Sequence, residues 1–186
     1  MGTIPTIATL ASGAVVTSAY LNAIKAQNDF WALTPRCYAY QTSATALTTA
    51  GNPQVIGLDT EVYDIVQSGD SPMHDNATNN SRIVARTAGK YEIAAQVVFN
   101  NNATGARSGY IRLNAAGSWT GGTLLSQSTQ QAVTGGFATA IVMPVIEVAL
   151  NAGDYVELFG YQASTITLNT STGLGITFLR MKLTGS

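Results

Sequence analysis

The sequence predicts a mainly β protein, an antiparallel β-sandwich preceded by a short N-terminal arm and helix. Three observations predict it. From Arg36 onward, short runs of period-two alternation recur between Gly, Asn, Asp and Pro turns, with no helical period among them. The composition is 46% hydrophobic but only 10% charged, against about 25% charged in an ordinary soluble domain. Thr, Ala, Ser, Asn and Gly fill the difference, which suits strands and turns and a surface partly buried between subunits. Third, the stretch Pro144 to Tyr161, PVIEVALNAGDYVELFGY, sets two alternating runs around Asn151-Ala152-Gly153-Asp154. Ile146, Val148 and Leu150 share one face, and Val156 and Leu158 oppose Tyr155, Glu157, Phe159 and Tyr161. That pattern predicts a β-hairpin with one face in the core. Its other face carries three aromatics, Tyr155, Phe159 and Tyr161, which a solvated strand does not need; they are predicted to meet a second protein surface at a subunit interface.

Taken in order, residues 1–16 are uncharged and broken by Pro5 and Gly13, which predicts an extended arm lying on something else. Thr17 reads as an N-cap for a helix over SAYLNAIKAQNDFWAL that Pro35 ends. Leu21, Ile24 and Trp31, with Tyr20 and Phe30 alongside, make a narrow apolar stripe. A helix of this length, about 25 Å, is marginal alone in water and must pack on something. This is the predicted docking element. For Phe30 and Trp31 the alternative is packing under the protein's own barrel. Residues 1–35 therefore form the arm and anchoring helix, and residues 36–186 the head.

In the head, Cys37 and Ala39 alternate with Tyr38 and Tyr40. Short pieces follow around Val55-Ile56 and from Glu61 to Val66, then a polar loop from Gln67 to Ser81. Beyond Arg82 to Arg86 and the turn at Thr87 to Lys90, Tyr91, Ile93, Ala95, Val97 and Phe99 line one face of the cleanest strand. Gly109 to Asn114 is another strand, with Ile111 and Leu113 inward. Ser118 to Gly136 is Gly, Ser, Thr and Gln rich, anchored only by Leu124, Leu125 and Val133. Ile166 and Leu168 mark a short strand, and in the closing segment, Gly173 to Leu183, the residues Thr177, Leu179, Met181 and Leu183 share a face.

Several function classes find no support. A net charge of −1 without clustered Lys and Arg gives no case for nucleic acid. No apolar run reaches the roughly 18 residues of a membrane span, and the N-terminus lacks the basic region of a secretory signal. Met1-Gly2 with Thr6 fits a myristoylation pattern too short to carry weight. Cys37, the one cysteine, reads as a small buried hydrophobe. His74, the one histidine, sits beside Asp75 in the long loop without a Gly-x-Ser-x-Gly elbow, and reads as an exposed loop residue rather than a catalytic one. Asp59, Glu61 and Asp64, with Asp70 and Asp75, lack the spacing of a calcium loop. Trp119 reads as a packing residue. No catalytic residue, metal site or cofactor is expected, and the protein reads as not an enzyme.

The order of the strand motifs resembles the tumour-necrosis-factor-like jelly roll in the form of complement-type globular heads. A Gly-x-Tyr turn leads into the long strand ending at Phe99, YIRLNAAG follows, then LNAGDYVEL, then GITFLRMKL. The resemblance covers about residues 36–186 and implies a compact homotrimer. Ser118 to Gln131 departs from it, being polar where the family has middle strands. GAVVTSAYLNAIKAQNDFWAL, from Gly13, is similar to the start of small phage structural proteins, in which an anchoring segment precedes a trimeric jelly roll. The two resemblances imply a tailed-phage virion protein, made in the bacterial host cytoplasm and placed on the virion surface. Its partners would be its own copies and other virion proteins, the major capsid protein first. A capsid decoration role is expected, with a tail-fibre or tail-tip receptor binder and a carbohydrate-binding module as alternatives.

Overall fold

The structure, a computed structural model, describes residues 2–48, 51–173 and 176–186. Among these, one helix precedes thirteen strands. The helix α1 is Ser18–Ala32. The strands are β1 (Arg36–Tyr40), β2 (Ala46–Leu47), β3 (Gln54–Val55), β4 (Thr60–Ile65), β5 (Arg82–Val84), β6 (Gly89–Phe99), β7 (Ala106–Leu113), β8 (Thr123–Gln131), β9 (Thr139–Val142), β10 (Ile146–Leu150), β11 (Tyr155–Gln162), β12 (Leu168–Asn169) and β13 (Phe178–Gly185). All pair antiparallel.

Two sheets face each other. One runs β10-β6-β13-β1-β4, with β9 also on β6; the other runs β3-β11-β7-β8, with β5 also on β11; β2 and β12 form a small pair. The alternation read from the sequence sets the core. Tyr91, Ile93, Ala95, Val97 and Phe99 of β6 are buried, as are Leu179, Met181 and Leu183 of β13 and Thr177 just before it. Ile111, Val156 and Leu158 meet them from the opposite sheet. Burying each large apolar side chain contributes about 1.5–3 kcal/mol, so these rows hold the sandwich together. Cys37 is buried on β1 in the same core.

The expected hairpin at 144–161 is not one. β10 pairs with β6 in the first sheet, whereas β11 pairs with β7, β5 and β3 in the second. The chain at 151–154 turns tightly, the Asp154 side chain accepting from Asn151 N at 2.7 Å, and passes from one sheet to the other. The polar segment after Ser118 also corrects expectation, since it contains the nine-residue strand β8 at the sheet edge. Ile166 is 54% exposed and only Leu168 of that pair lies on a strand. Leu174 and Gly175, within the expected closing segment from Gly173, and Met1 lie outside the described residues.

At the N-terminus Thr17 caps α1, its hydroxyl accepting from Tyr20 N at 3.2 Å. The arm lies on its own chain. Gly2 bridges to Thr87, Ile4 packs on the core, and Gln27 Nε2 donates to Pro5 O at 3.4 Å.

Candidate functional site

The helix is fixed to the head at its last turn. Phe30 is 3% exposed and belongs to the same hydrophobic cluster as the strands; Trp31 packs edge-on to it at 5.2 Å. Phe30 is therefore core, which corrects its expected docking role. Among the described residues no strand makes an extensive contact with α1. Tyr20 and Ile24 are half-buried and Leu21 is 55% exposed. Val15 and Val16 stand open just before the helix. The first charged residue of the chain is Lys25, which pairs with Asp29 one turn on. The result is a helix whose first turns, up to Lys25, carry no charge and are partly apolar. Its base is tied down by Gln67, whose amide donates to the carbonyl oxygens of Phe30 at 3.3 Å and Leu33 at 2.7 Å. These are carbonyls a helix end leaves without intrahelical partners.

The aromatic face of β11 is covered by this chain itself. Phe159 is fully buried, with Trp119 edge-on at 6.2 Å, so it offers no surface to a second subunit; this corrects its expected interface role. Trp119 also packs on Tyr110 and under the Arg112 guanidinium, each at 4.7 Å, and Arg112 donates to Gly121 O. The reversal after β7 requires Gly122, at φ +60° and with Leu113 O 2.0 Å from where a Cβ would sit. Tyr155 is half-buried beneath Arg82, 4.3 Å from the guanidinium, and Tyr161 is half-buried. Between them Glu157 is fully buried, accepting from Ser81, Arg82 and the Gly117 main chain. The sequence pattern announced that something covers this face; it did not show that residues 114–122 do.

A second aromatic group lies on the outer face of the other sheet. Tyr38 meets Phe178 at 5.1 Å and Tyr63 at 6.0 Å, and Arg36 lies over Tyr63. These side chains are half-buried and Val142 on the same face is 62% exposed. Burial, then the neighbouring Tyr63, pushes the Tyr38 phenol above its usual value. Tyr38 and Phe178 each alternate with buried residues in the sequence, whereas Tyr63 lies between Asp64 and the exposed Val62. Only strand order reveals that they adjoin.

His74 departs furthest from expectation. It is 3% exposed, not a solvated loop residue. Nδ1 lies 2.6 Å from Glu61 Oε1, Nε2 lies 2.9 Å from Asn80 O, and its main-chain N–H donates to Asp64 Oδ2. Asn76 donates to the other Glu61 oxygen. Burial works against the Glu61 charge, but the bonds from His74 and Asn76 hold its carboxyl below the usual range. Burial pushes the Asp64 carboxyl up, against the N–H groups of Met73 and His74. Burial, then Asp64 and Glu61, drives the Cys37 thiol far above its ordinary value. These groups border an open cleft of about 620 Å³ that Ser71, Pro72 and Arg86 also line. No serine hydroxyl is recorded in contact with His74 among the described residues, and no three His, Cys, Asp or Glu side chains converge as a metal ion requires. Asp59 instead bonds the Thr42–Ser43 turn, so of the three carboxylates close in sequence only Glu61 and Asp64 are brought together, at His74. No described helix is long and apolar enough to cross a membrane.

No family model matches the chain and no curated protein matches it. Solved structures do. Murine APRIL is 13% identical over 81% of this chain and 98% of that chain, with a TM-score of 0.56. The Eiger TNF of S. frugiperda is 12% identical over 82% and 94%, with a TM-score of 0.56. The globular domain of zebrafish complement 1qA is 11% identical over 80% and 96%, with a TM-score of 0.50. At such identities the likeness concerns architecture alone: the chain carries a mainly β, tumour-necrosis-factor-like jelly roll with one short helix before it.

Proposed function

We propose that the protein is a structural component of a phage virion. In this reading it is a homotrimeric, non-enzymatic decoration protein held on the capsid surface by its N-terminal segment, with the major capsid protein as its partner. One observation carries the reading: α1 leaves Leu21 open to solvent, behind a charge-free stretch that exposes Val15 and Val16. Exposed apolar groups of this kind mark contact sites. The likeness of Gly13 to Leu33 to phage anchoring segments supplies the kind of partner. For the trimer, the Tyr38, Tyr63 and Phe178 face is offered in place of Phe159, which is fully buried, because this half-buried aromatic group adjoins the exposed Val142.

The test uses particles lacking the protein. Wild type should cosediment with them, and the Val16→Ser, Leu21→Ser double variant should lose at least tenfold in affinity while melting like wild type. Sedimentation equilibrium should give three times 19.4 kDa, and Phe178→Asp should give one. Unchanged particle binding by the double variant would remove the attachment reading.

A second reading, a tail-tip receptor binder, draws on the far end of the sandwich. There the segments 41–48, 51–53, 100–105, 132–138 and 163–173 carry no charged residue, and Phe137 is 67% exposed. Competition of the free protein with phage adsorption to host cells separates the two readings.

A further inference from the structure

The loop between β4 and β5 does two things at once: it closes over β4 through His74, and it grips α1 through Gln67. A carbonyl oxygen only accepts, so the 2.9 Å contact with Asn80 O requires a hydrogen on His74 Nε2. Nδ1 then faces a carboxylate oxygen of Glu61 at 2.6 Å, a distance that also requires a hydrogen between them. A neutral imidazole beside an ionised carboxylate supplies one hydrogen for these two bonds. The arrangement therefore holds one proton more than that.

Other charged groups surround the pair. From β4, Asp64 accepts the His74 main-chain N–H at 2.9 Å. Asp75, next in the chain, is engaged with Ala77 and Thr78. Arg86 lines the same cleft, donating to Pro72 O, and Arg82 lines the adjoining one. Cys37 stands opposite Asp64 in the register of β1 and β4. Met73, fully buried, joins the histidine to the part of the loop that begins at Gln67.

We propose that His74 and Glu61 form a proton-operated latch. With the extra proton, loop 67–81 stays shut and Gln67 holds the helix end. Without it, two lone pairs face each other across the contact between the buried ring and Glu61, and the loop and its hold on α1 loosen as pH rises. The consequence for attachment rests on the virion reading, but the latch is measured on the free protein, so failure of one is distinguishable from failure of the other.

His74 is the chain's one histidine, so its ring protons titrate unambiguously by NMR. Over about pH 5 to 9, amide hydrogen exchange of segments 68–80 and 28–33, corrected for intrinsic rates, should accelerate about ten- to a hundredfold as that ring loses its proton. In Glu61→Gln the amide donates to Nδ1, a neutral ring satisfies both contacts, and exchange should stay slow and flat with pH. In His74→Ala both segments should exchange fast throughout. A Glu61→Gln protein that keeps the wild-type pH profile overturns the latch. So does a wild-type helix end whose exchange ignores the histidine titration.

Discussion

Phe159→Ala tests whether the aromatic face of β11 belongs to the fold or to assembly. Phe159 is fully buried within one chain, between β3 and β7 and beneath Trp119. Truncating such a phenylalanine costs about 3–5 kcal/mol, the lost transfer energy plus the cavity left behind. For a chain of this size each kcal/mol lowers the melting temperature by about 2–4 °C, so a drop of about 6–20 °C is expected. Urea denaturation at matched protomer concentration gives the free energy, and sedimentation equilibrium gives the mass. Stability should fall while the mass stays that of wild type. A double-mutant cycle with Trp119→Ala should show about 0.5–1.5 kcal/mol of coupling from the edge-on pair. A variant of near wild-type stability that has lost its assembly would refute the reasoning and return Phe159 to a subunit interface.

Two further outcomes follow from the electrostatics. Cys37, buried with its thiol driven far above the ordinary range, should resist a thiol reagent in the folded protein and react fully in urea; rapid native labelling would show that β1 opens. Asp154 and Asp59 are held below the usual carboxylate range, the first by Asn114, the second because bonds from Thr42 and Ser43 outweigh burial. Depressed carboxyls contribute stability that is present above about pH 4 and lost as pH falls through their folded values. Asp64, shifted upward, works the other way. Thermal melts should therefore fall on acidification below about pH 4, and Asp154→Asn should flatten that limb.

What the sequence disclosed is facing. β6 and β13 were legible because one full row of each is apolar and wholly buried, and period two then reports the core directly. Neighbours were not legible. The runs on either side of Asn151 alternate as a hairpin does, and nothing in alternation says that their partners lie in different sheets. β8 was missed because residues such as Ser126, Gln127, Thr129, Gln130 and Gln131 give an edge strand no apolar row. His74 was misread because its surroundings in sequence are polar, while its burial comes from Glu61, thirteen residues upstream, and Asn80. Along α1, Leu21 and Phe30 lie nine residues apart, about half a turn round the helix, so the one stays open while the other is buried at the last turn.

The place of β13 in its sheet bears on how the chain is made. Phe178–Gly185 runs between β6 and β1, bonding to both. Until the ribosome releases those residues, β6 lacks one neighbour and the β1–β4 pair has nothing joining it to the rest of its sheet. Pairings of this separation form slowly, because loop closure precedes any gain from contact. The nascent chain therefore waits with its apolar rows uncovered, a state open to chaperones and to misassociation. A message truncated before Phe178 yields no smaller version of the head, only polypeptide lacking the strand that joins its first half to its second.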